Sequence, residues 1–171
     1  KIWVNSELHK GSAFHCVVQL EKLADDFNFE HSNETDSADV ESRIKALKGA
    51  KILLVEDNEI NQELACELLS INGIEVQTAD NGFEACEILK EKQFDGVLMD
   101  CQMPVMDGFE ATLCIRKQVK YKNLPIIALT ANVMKHDIEK VLSVGMNDHI
   151  AKPINPDNML LTLSKWVKRD A

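Results

Sequence analysis

From residue 51 onward, short apolar runs alternate with helix-periodic segments five times, and no other feature of the sequence limits the fold as strongly. Ile52-Leu53-Leu54-Val55 is the first run. Ile60, Leu64, Leu68 and Ile71 then recur at helical spacing until Asn72-Gly73 stops them. Residues 75–79 read as a second strand, and Ala85, Ile88 and Leu89 mark a second helix. Asn81-Gly82 could be a hairpin dipeptide, but at this place it opens that helix. Gly96-Val97-Leu98-Met99 is a third strand running into Asp100, followed by a helix over 109–119. Pro125-Ile126-Ile127-Ala128-Leu129 is a fourth strand, and the helix over 133–144 is stopped by Gly145. His149-Ile150-Ala151 is a fifth strand; Met159, Leu160, Leu163, Trp166 and Val167 share one face of a last helix. Continuously apolar runs are what strands buried on both faces require. Five such βα units predict an α/β domain with one parallel sheet and helices on both sides.

The first fifty residues have a different texture. Lys1-Ile2-Trp3-Val4 and Phe14-His15-Cys16-Val17-Val18-Gln19-Leu20, with Lys10-Gly11-Ser12 between them, read as two strands and a turn. A lone hairpin is marginal in water, so it needs a sheet to join. Over 23–35 the acidic residues Asp25, Asp26, Glu30 and Glu34 accumulate and periodicity is lost, as in a solvated linker. Residues 36–47 fit either a short helix or more linker. The expected organisation is a hairpin unit over 1–22, an acidic linker over 23–49 and the α/β domain over 50–169.

The formal net charge of −9 argues against attraction to phosphate backbones, so direct nucleic-acid binding is not expected. No apolar run approaches the roughly 18 residues that span a bilayer, so no membrane contact is expected of this chain. The lack of a signal-peptide pattern and of a starting Met suggests a piece of a longer protein, with any membrane anchor elsewhere. Five cysteines, odd in number and without a CxxC pair, read as reduced thiols of a cytoplasmic protein.

In parallel sheets, ligands gather outside the carboxyl ends of the strands. Glu56 and Asp57 follow the first strand, Asp100 ends the third, Thr130 follows the fourth and Lys152 the fifth. Three carboxylates on one rim repel one another, at about 3 kcal/mol per pair for ~5 Å and an effective dielectric of ~20. A cation is therefore expected, and hard oxygen donors with few protein contacts suit Mg²⁺. Asp57 and Asp100 are the expected direct ligands, Glu56 acts through water, and the backbone carbonyl of Gln102 is a further ligand. A carboxylate can attack phosphorus to give an aspartyl phosphate, which makes Asp100 the candidate nucleophile and phosphorylation site. Lys152 offers a point charge to a phosphate oxygen and the Thr130 hydroxyl donates to another. One Asp at a strand end is ordinarily a helix cap or a solvated charge; the five residues together are not explained that way. His9, His15, His31, His136 and His149 form no pair at metal-binding spacing.

Val55-Glu56-Asp57-Asn58, Met99-Asp100-Cys101-Gln102-Met103-Pro104-Val105-Met106-Asp107-Gly108, Ala128-Leu129-Thr130-Ala131 and Lys152-Pro153 occur in that order. In these motifs the chain resembles the receiver domain of two-component response regulators. The resemblance implies a flavodoxin-like, doubly wound (βα)5 fold with strand order 2-1-3-4-5. It implies Mg²⁺-dependent transfer of a phosphoryl group from a phosphohistidine to Asp100, and a cis bond at Lys152-Pro153. The implied partner is a phosphohistidine-bearing domain, either a kinase dimerisation domain or a histidine phosphotransfer domain. Thr130 and the residue three before the lysine would form the output switch. That residue is usually aromatic in the family and is His149 here, so a shallower side-chain switch is expected.

The segment from Asn5 to Phe14 looks like the last hairpin of a histidine-kinase ATPase domain, with His9 where Gly is common. The parent would then be similar to a hybrid sensor histidine kinase, and this chain would carry only phosphoacceptor and autodephosphorylation chemistry. A stand-alone response regulator and a non-phosphorylated docking module remain alternatives. An aspartate-based phosphatase would place a second Asp where Gln102 stands. A flavodoxin-like cofactor binder would not put Glu56-Asp57 where a phosphate must sit.

Overall fold

Alternating apolar residues near the start of the chain pair with each other. The computed structural model describes residues 2–7, 10–17, 34–131 and 134–168 and divides into two compact units, Lys1–Asn33 and Glu34–Ala171. In the first, β1 (Ile2–Glu7) and β2 (Gly11–Cys16) are antiparallel, with Ile2 opposite Cys16 and Glu7 opposite Gly11. Trp3 stacks on His15 across the pair at 4.9 Å. The reversal comes earlier than the sequence suggests. Lys10 N–H donates to the Glu7 carbonyl at 3.0 Å, so Gly11 and Ser12 already belong to β2. Residues 18–20, expected in the second strand, lie outside the described residues.

The second unit opens with α1 (Glu34–Lys45), within the stretch that the sequence left as either helix or linker. Val40, Ile44 and Leu47 recur at helical spacing, and Leu47 is fully buried against the domain. Arg43 donates to the Ser164 carbonyl at 3.4 Å. The expected linker over 23–49 therefore overlaps a helix and a turn that pack with the α/β domain. The signal was weak because only three apolar residues carry it, among charged neighbours.

Then follow β3 (Lys51–Val55), α2 (Glu59–Ile71), β4 (Glu75–Ala79), α3 (Gly82–Glu91), β5 (Gly96–Asp100) and α4 (Gly108–Arg116). After a 3₁₀ turn (Val119–Tyr121) come β6 (Ile126–Thr130), α5 (Lys135–Ser143), β7 (Asp148–Ala151) and α6 (Pro156–Trp166). The five strands form one parallel sheet in the order β4-β3-β5-β6-β7. Counted from the first strand of this domain, that is the 2-1-3-4-5 order expected of a flavodoxin-like fold.

Strand parity sends alternate side chains into two cores. Leu53, Val55, Val97, Met99, Ile126 and Ala128 meet α3, α4 and α5 on one face. Ile52, Leu54, Leu98, Ile127, Leu129 and Ile150 meet α2 and α6 on the other. Asn58, Asn81, Asp107 and Asn155 each cap a helix by accepting a backbone N–H. Asn81-Gly82 thus opens α3, as read from the sequence. Helix α4 stops earlier than expected because Gln118 turns extended before the 3₁₀ turn. Trp166, expected on the buried face of α6, is partly exposed and donates from its indole to Asp148 Oδ2 at 3.0 Å.

Leu54 is a fully enclosed member of the second core. Leu54→Ala is expected to cost about 2–5 kcal/mol. Urea unfolding followed by circular dichroism should show a lower midpoint at unchanged m-value.

Candidate functional site

The carboxyl ends of β3, β5, β6 and β7 bring Glu56, Asp57, Asp100, Thr130 and Lys152 to one edge of the sheet. Asp100 is the last residue of the central strand β5 and only 5% exposed. Its Oδ1 accepts from the Gln102 backbone N–H at 3.1 Å, and its Oδ2 accepts from Lys152 Nζ at 2.7 Å. The same ammonium donates to Glu56 Oε2 at 2.6 Å. Glu56, 1% exposed, has its other oxygen satisfied by Asn61 Nδ2 at 2.8 Å. Asn61 reaches it because Asn58 caps α2, accepting from the N–H groups of Ile60 and Asn61. Gln62 ties the start of the same helix to the Glu56 carbonyl and to Asp80.

Burial pushes the Asp100 carboxyl above the ordinary aspartate range; the Lys152 ammonium and the Gln102 N–H pull it back only in part. Burial also works against the Lys152 ammonium. The two carboxylates that accept from it outweigh that, and its pKa stands above the usual lysine value. Cys101, buried beside Asp100, is pushed up to about 11 by burial and then by the Asp100 charge. It is a packed thiol rather than a reactive one.

Oxygen atoms of Glu56, Asp57 and Asp100 lie within 4.8 Å of one another. An all-carboxylate donor set of this size fits Mg²⁺. Repulsion among the three carboxylates is smaller than the sequence alone implies, because Lys152 already neutralises part of the charge on Glu56 and Asp100. Asp57 is the exposed member of the three, and Asp100, unlike Glu56, lines a cleft, so these two offer the more accessible oxygens. Beside them, a cleft of about 170 Å³ is lined by Asp100, Gln102, Thr130, Lys140 and Lys152 among others.

The loop after Asp100 is held tightly. A Cβ on Gly108 would stand 2.1 Å from the Asp100 carbonyl oxygen, so only glycine permits this approach. Met106 N–H donates back to the Pro104 carbonyl at 2.8 Å across Val105, whose φ is +70°. That conformation is costly for a β-branched residue, and Val105 is 85% exposed, so no core packing of its side chain offsets the cost. Lys152-Pro153 is cis, as the resemblance implied.

Comparison with known proteins gives the same result as the geometry. Residues 52–164 match the model of the response regulator receiver domain. The chain belongs to that family. Hybrid signal transduction histidine kinase B of Dictyostelium discoideum is 45% identical over an alignment of 126 residues that covers 67% of this chain and 6% of that protein. Among solved structures, the receiver domain of sensor histidine kinase PA1611 from Pseudomonas aeruginosa PAO1 is 41% identical with a TM-score of 0.66. It covers 70% of this chain and 98% of its own, and carries a magnesium ion in its active-site cleft. The receiver domain of Ssk1 from Saccharomyces cerevisiae, in complex with the histidine phosphotransfer protein Ypd1, is 34% identical with a TM-score of 0.67. That match covers 71% of this chain and 90% of the other.

Within the receiver, every expected metal and phosphate residue reaches the shared edge. His149 does not line the cleft. It sits half-buried on β7, opposite Ala128 of β6, with Nδ1 3.6 Å from Asp148 Oδ1. Sequence reasoning missed Asn61, which satisfies Glu56, and Lys140, whose ammonium lies 3.9 Å from the centre of the Phe109 ring at the cleft wall. Both come from helix positions that carry no motif, and only the fold brings them to the site.

Asn61 provides a test in which two effects have opposite sign. Helix propensity alone makes Asn61→Ala stabilising by a few tenths of a kcal/mol. Loss of the one partner that Glu56 Oε1 has among the described residues makes it destabilising by about 1–3 kcal/mol. We expect the second, read as a lower midpoint in chemical denaturation.

Proposed function

We propose that Asp100 accepts a phosphoryl group from a histidine of a partner domain, as one step of a phosphorelay. An Asp100 carboxylate oxygen attacks phosphorus, the N–P bond of the phosphohistidine breaks, and the imidazole leaves with the electron pair. The observation that carries this reading is a buried strand-end carboxylate held by Lys152 Nζ at 2.7 Å and sharing an acidic cluster. As phosphate oxygens arrive, Lys152 exchanges a carboxylate partner for one of them, and the Thr130 hydroxyl at the cleft wall donates to another. Asp57, Asp100, the Gln102 carbonyl and, through water, Glu56 would hold Mg²⁺. Such an ion would supply charge neutralisation for the phosphoryl oxygens. Movement of Thr130 toward the new phosphate, with adjustment around His149 on the neighbouring strand, is the proposed output.

Docking of the donor follows from the surface beside the site. Ile60 is 75% exposed on the first turn of α2. A groove lined by Asn61, Leu64, Lys152, Pro153 and Ile154 runs next to it. A small apolar patch touching the lysine suits a histidine-bearing partner protein, in line with the Ypd1–Ssk1 pairing of a similar receiver. The parent is read as a hybrid histidine kinase acting at the cytoplasmic side of a membrane. The β1–β2 hairpin is read as the end of its ATPase domain. In support, the hairpin exposes Ile2, Val4 and Phe14, apolar residues that a larger domain would cover. Among the described residues, no helix is long and apolar enough to cross a membrane.

Asp100→Asn should reduce labelling by acetyl phosphate with Mg²⁺ to background, because an amide is not a competent nucleophile. Acid-stable, base-labile phosphate at wild-type stoichiometry on that variant would refute the assignment. Ile60→Asp should slow transfer from a phosphorylated partner by about tenfold, equivalent to ~1.4 kcal/mol of lost contact. Its acetyl-phosphate labelling should stay at the wild-type rate. Parallel loss of both would place Ile60 in the fold rather than at the docking surface.

A further inference from the structure

Phosphoryl chemistry makes no use of Cys86 and Cys114, yet the two meet where α3 and α4 cross. Both helices follow parallel strands and pack on the same face of the sheet, so they run in the same direction. At Gly82 and Ala111 their backbones approach so closely that a Cβ on Gly82 would stand 2.6 Å from the Ala111 Cβ. Cys86 lies four residues beyond Gly82 and Cys114 three beyond Ala111, one turn further along the same crossing. The Cys86 sulfur is 4.0 Å from the Ala111 carbonyl oxygen. Helical carbonyls point toward the C-terminus, so that sulfur lies over the turn ending at Cys114. A disulfide spans Cα atoms about 4.4–6.8 Å apart, a separation that helices in contact through small residues can provide. Cys86 is buried and Cys114 half-buried, so solvent reaches the second thiol before the first.

We propose that Cys86 and Cys114 form a reversible disulfide that staples α3 to α4 when the protein meets a low-molecular-weight disulfide oxidant. The accessible Cys114 thiolate attacks one sulfur of the small disulfide, breaks its S–S bond and releases one small thiolate. Cys86 then attacks the Cys114 sulfur, the second small thiolate leaves, and the protein disulfide closes. Two electrons pass from the protein to the oxidant, and the two cysteine protons end on the two small thiols. Burial and then the neighbouring Cys114 push the Cys86 thiol up to about 12, so Cys86 stays protonated while the first exchange takes place at Cys114, and closure of the intramolecular bond is the slow step. Reducing compartments keep thiols free, so the open pair is the resting form. The staple would act beside the phosphoacceptor loop, because Gly82 N–H donates to the Met106 carbonyl at 3.0 Å.

The test uses the full chain carrying Cys16→Ser, which removes an exposed thiol able to link two molecules and leaves four of the five cysteines. After incubation with oxidised glutathione, the protein is denatured, titrated for free thiols and mapped by mass spectrometry. The expected result is loss of two thiols, a cross-linked peptide joining Cys86 to Cys114, an upward shift in Tm and full reversal by dithiothreitol. Adding Cys66→Ser should leave that loss unchanged; adding Cys114→Ser should abolish it. Four free thiols, a stable glutathione adduct on Cys114 with Cys86 free, or a bond between any other pair would overturn the proposal.

Discussion

One ammonium group holds the site together. Lys152 comes from the end of β7 and donates to Asp100, 52 residues earlier, and to Glu56, 96 residues earlier. Two carboxylates this deeply buried lose most of their hydration, a penalty of several kcal/mol for each ion in a protein interior. Only a counter-charge in good geometry offsets it. That geometry depends on the order of the strands, since β3, β5 and β7 must end at one level for a single side chain to bridge them. The parallel registers provide this: Val55 pairs with Met99, Asp100 with Leu129, and Thr130 with Ala151. The site is in this sense a product of sheet topology before it is a product of any single motif.

In the proposed reaction the same bridge readies the domain for phosphate. An incoming phosphoryl group brings its own negative oxygens, and the lysine can exchange a carboxylate for one of them without leaving its place. Little reorganisation is needed when the charge arrives, which is how preorganised electrostatics favours a transferred phosphoryl group. Asp57 is the exposed member of the acidic cluster and so keeps the approach from solvent open to a divalent ion.

Much of this was legible in the sequence because two independent signals coincide. Continuous apolar runs marked the strands, and the polar residues directly after those runs marked the edge where they end. Asp100, Thr130 and Lys152 were found this way. What escaped had no local signature. Asn61 is an unremarkable polar residue on a helix until the cap at Asn58 sets its reach toward Glu56. Helix α1 was left open because Val40, Ile44 and Leu47 are a thin apolar stripe, and its partner α6 lies at the far end of the sequence. The hairpin turn was misplaced because Gly11 reads as a turn residue while its backbone continues the strand at φ +108°. Burial and long-range pairing decide such cases, and neither is written in a window of ten residues.

The contact between Gly108 and the Asp100 carbonyl has a mechanical consequence. Most helices rest on their sheet through side chains, which are compliant and can absorb a displacement of a few tenths of an ångström. Here the first residue of α4 rests directly on the peptide group of the strand end, with no side chain between them. Strand and helix share a stiff joint at that point. A shift of the Asp100 backbone would have no cushion to dissipate into and would reach α4 directly. Through the Gly82–Ala111 crossing it would pass to α3, and two helices on one face of the sheet would become a lever whose short arm is the aspartate itself.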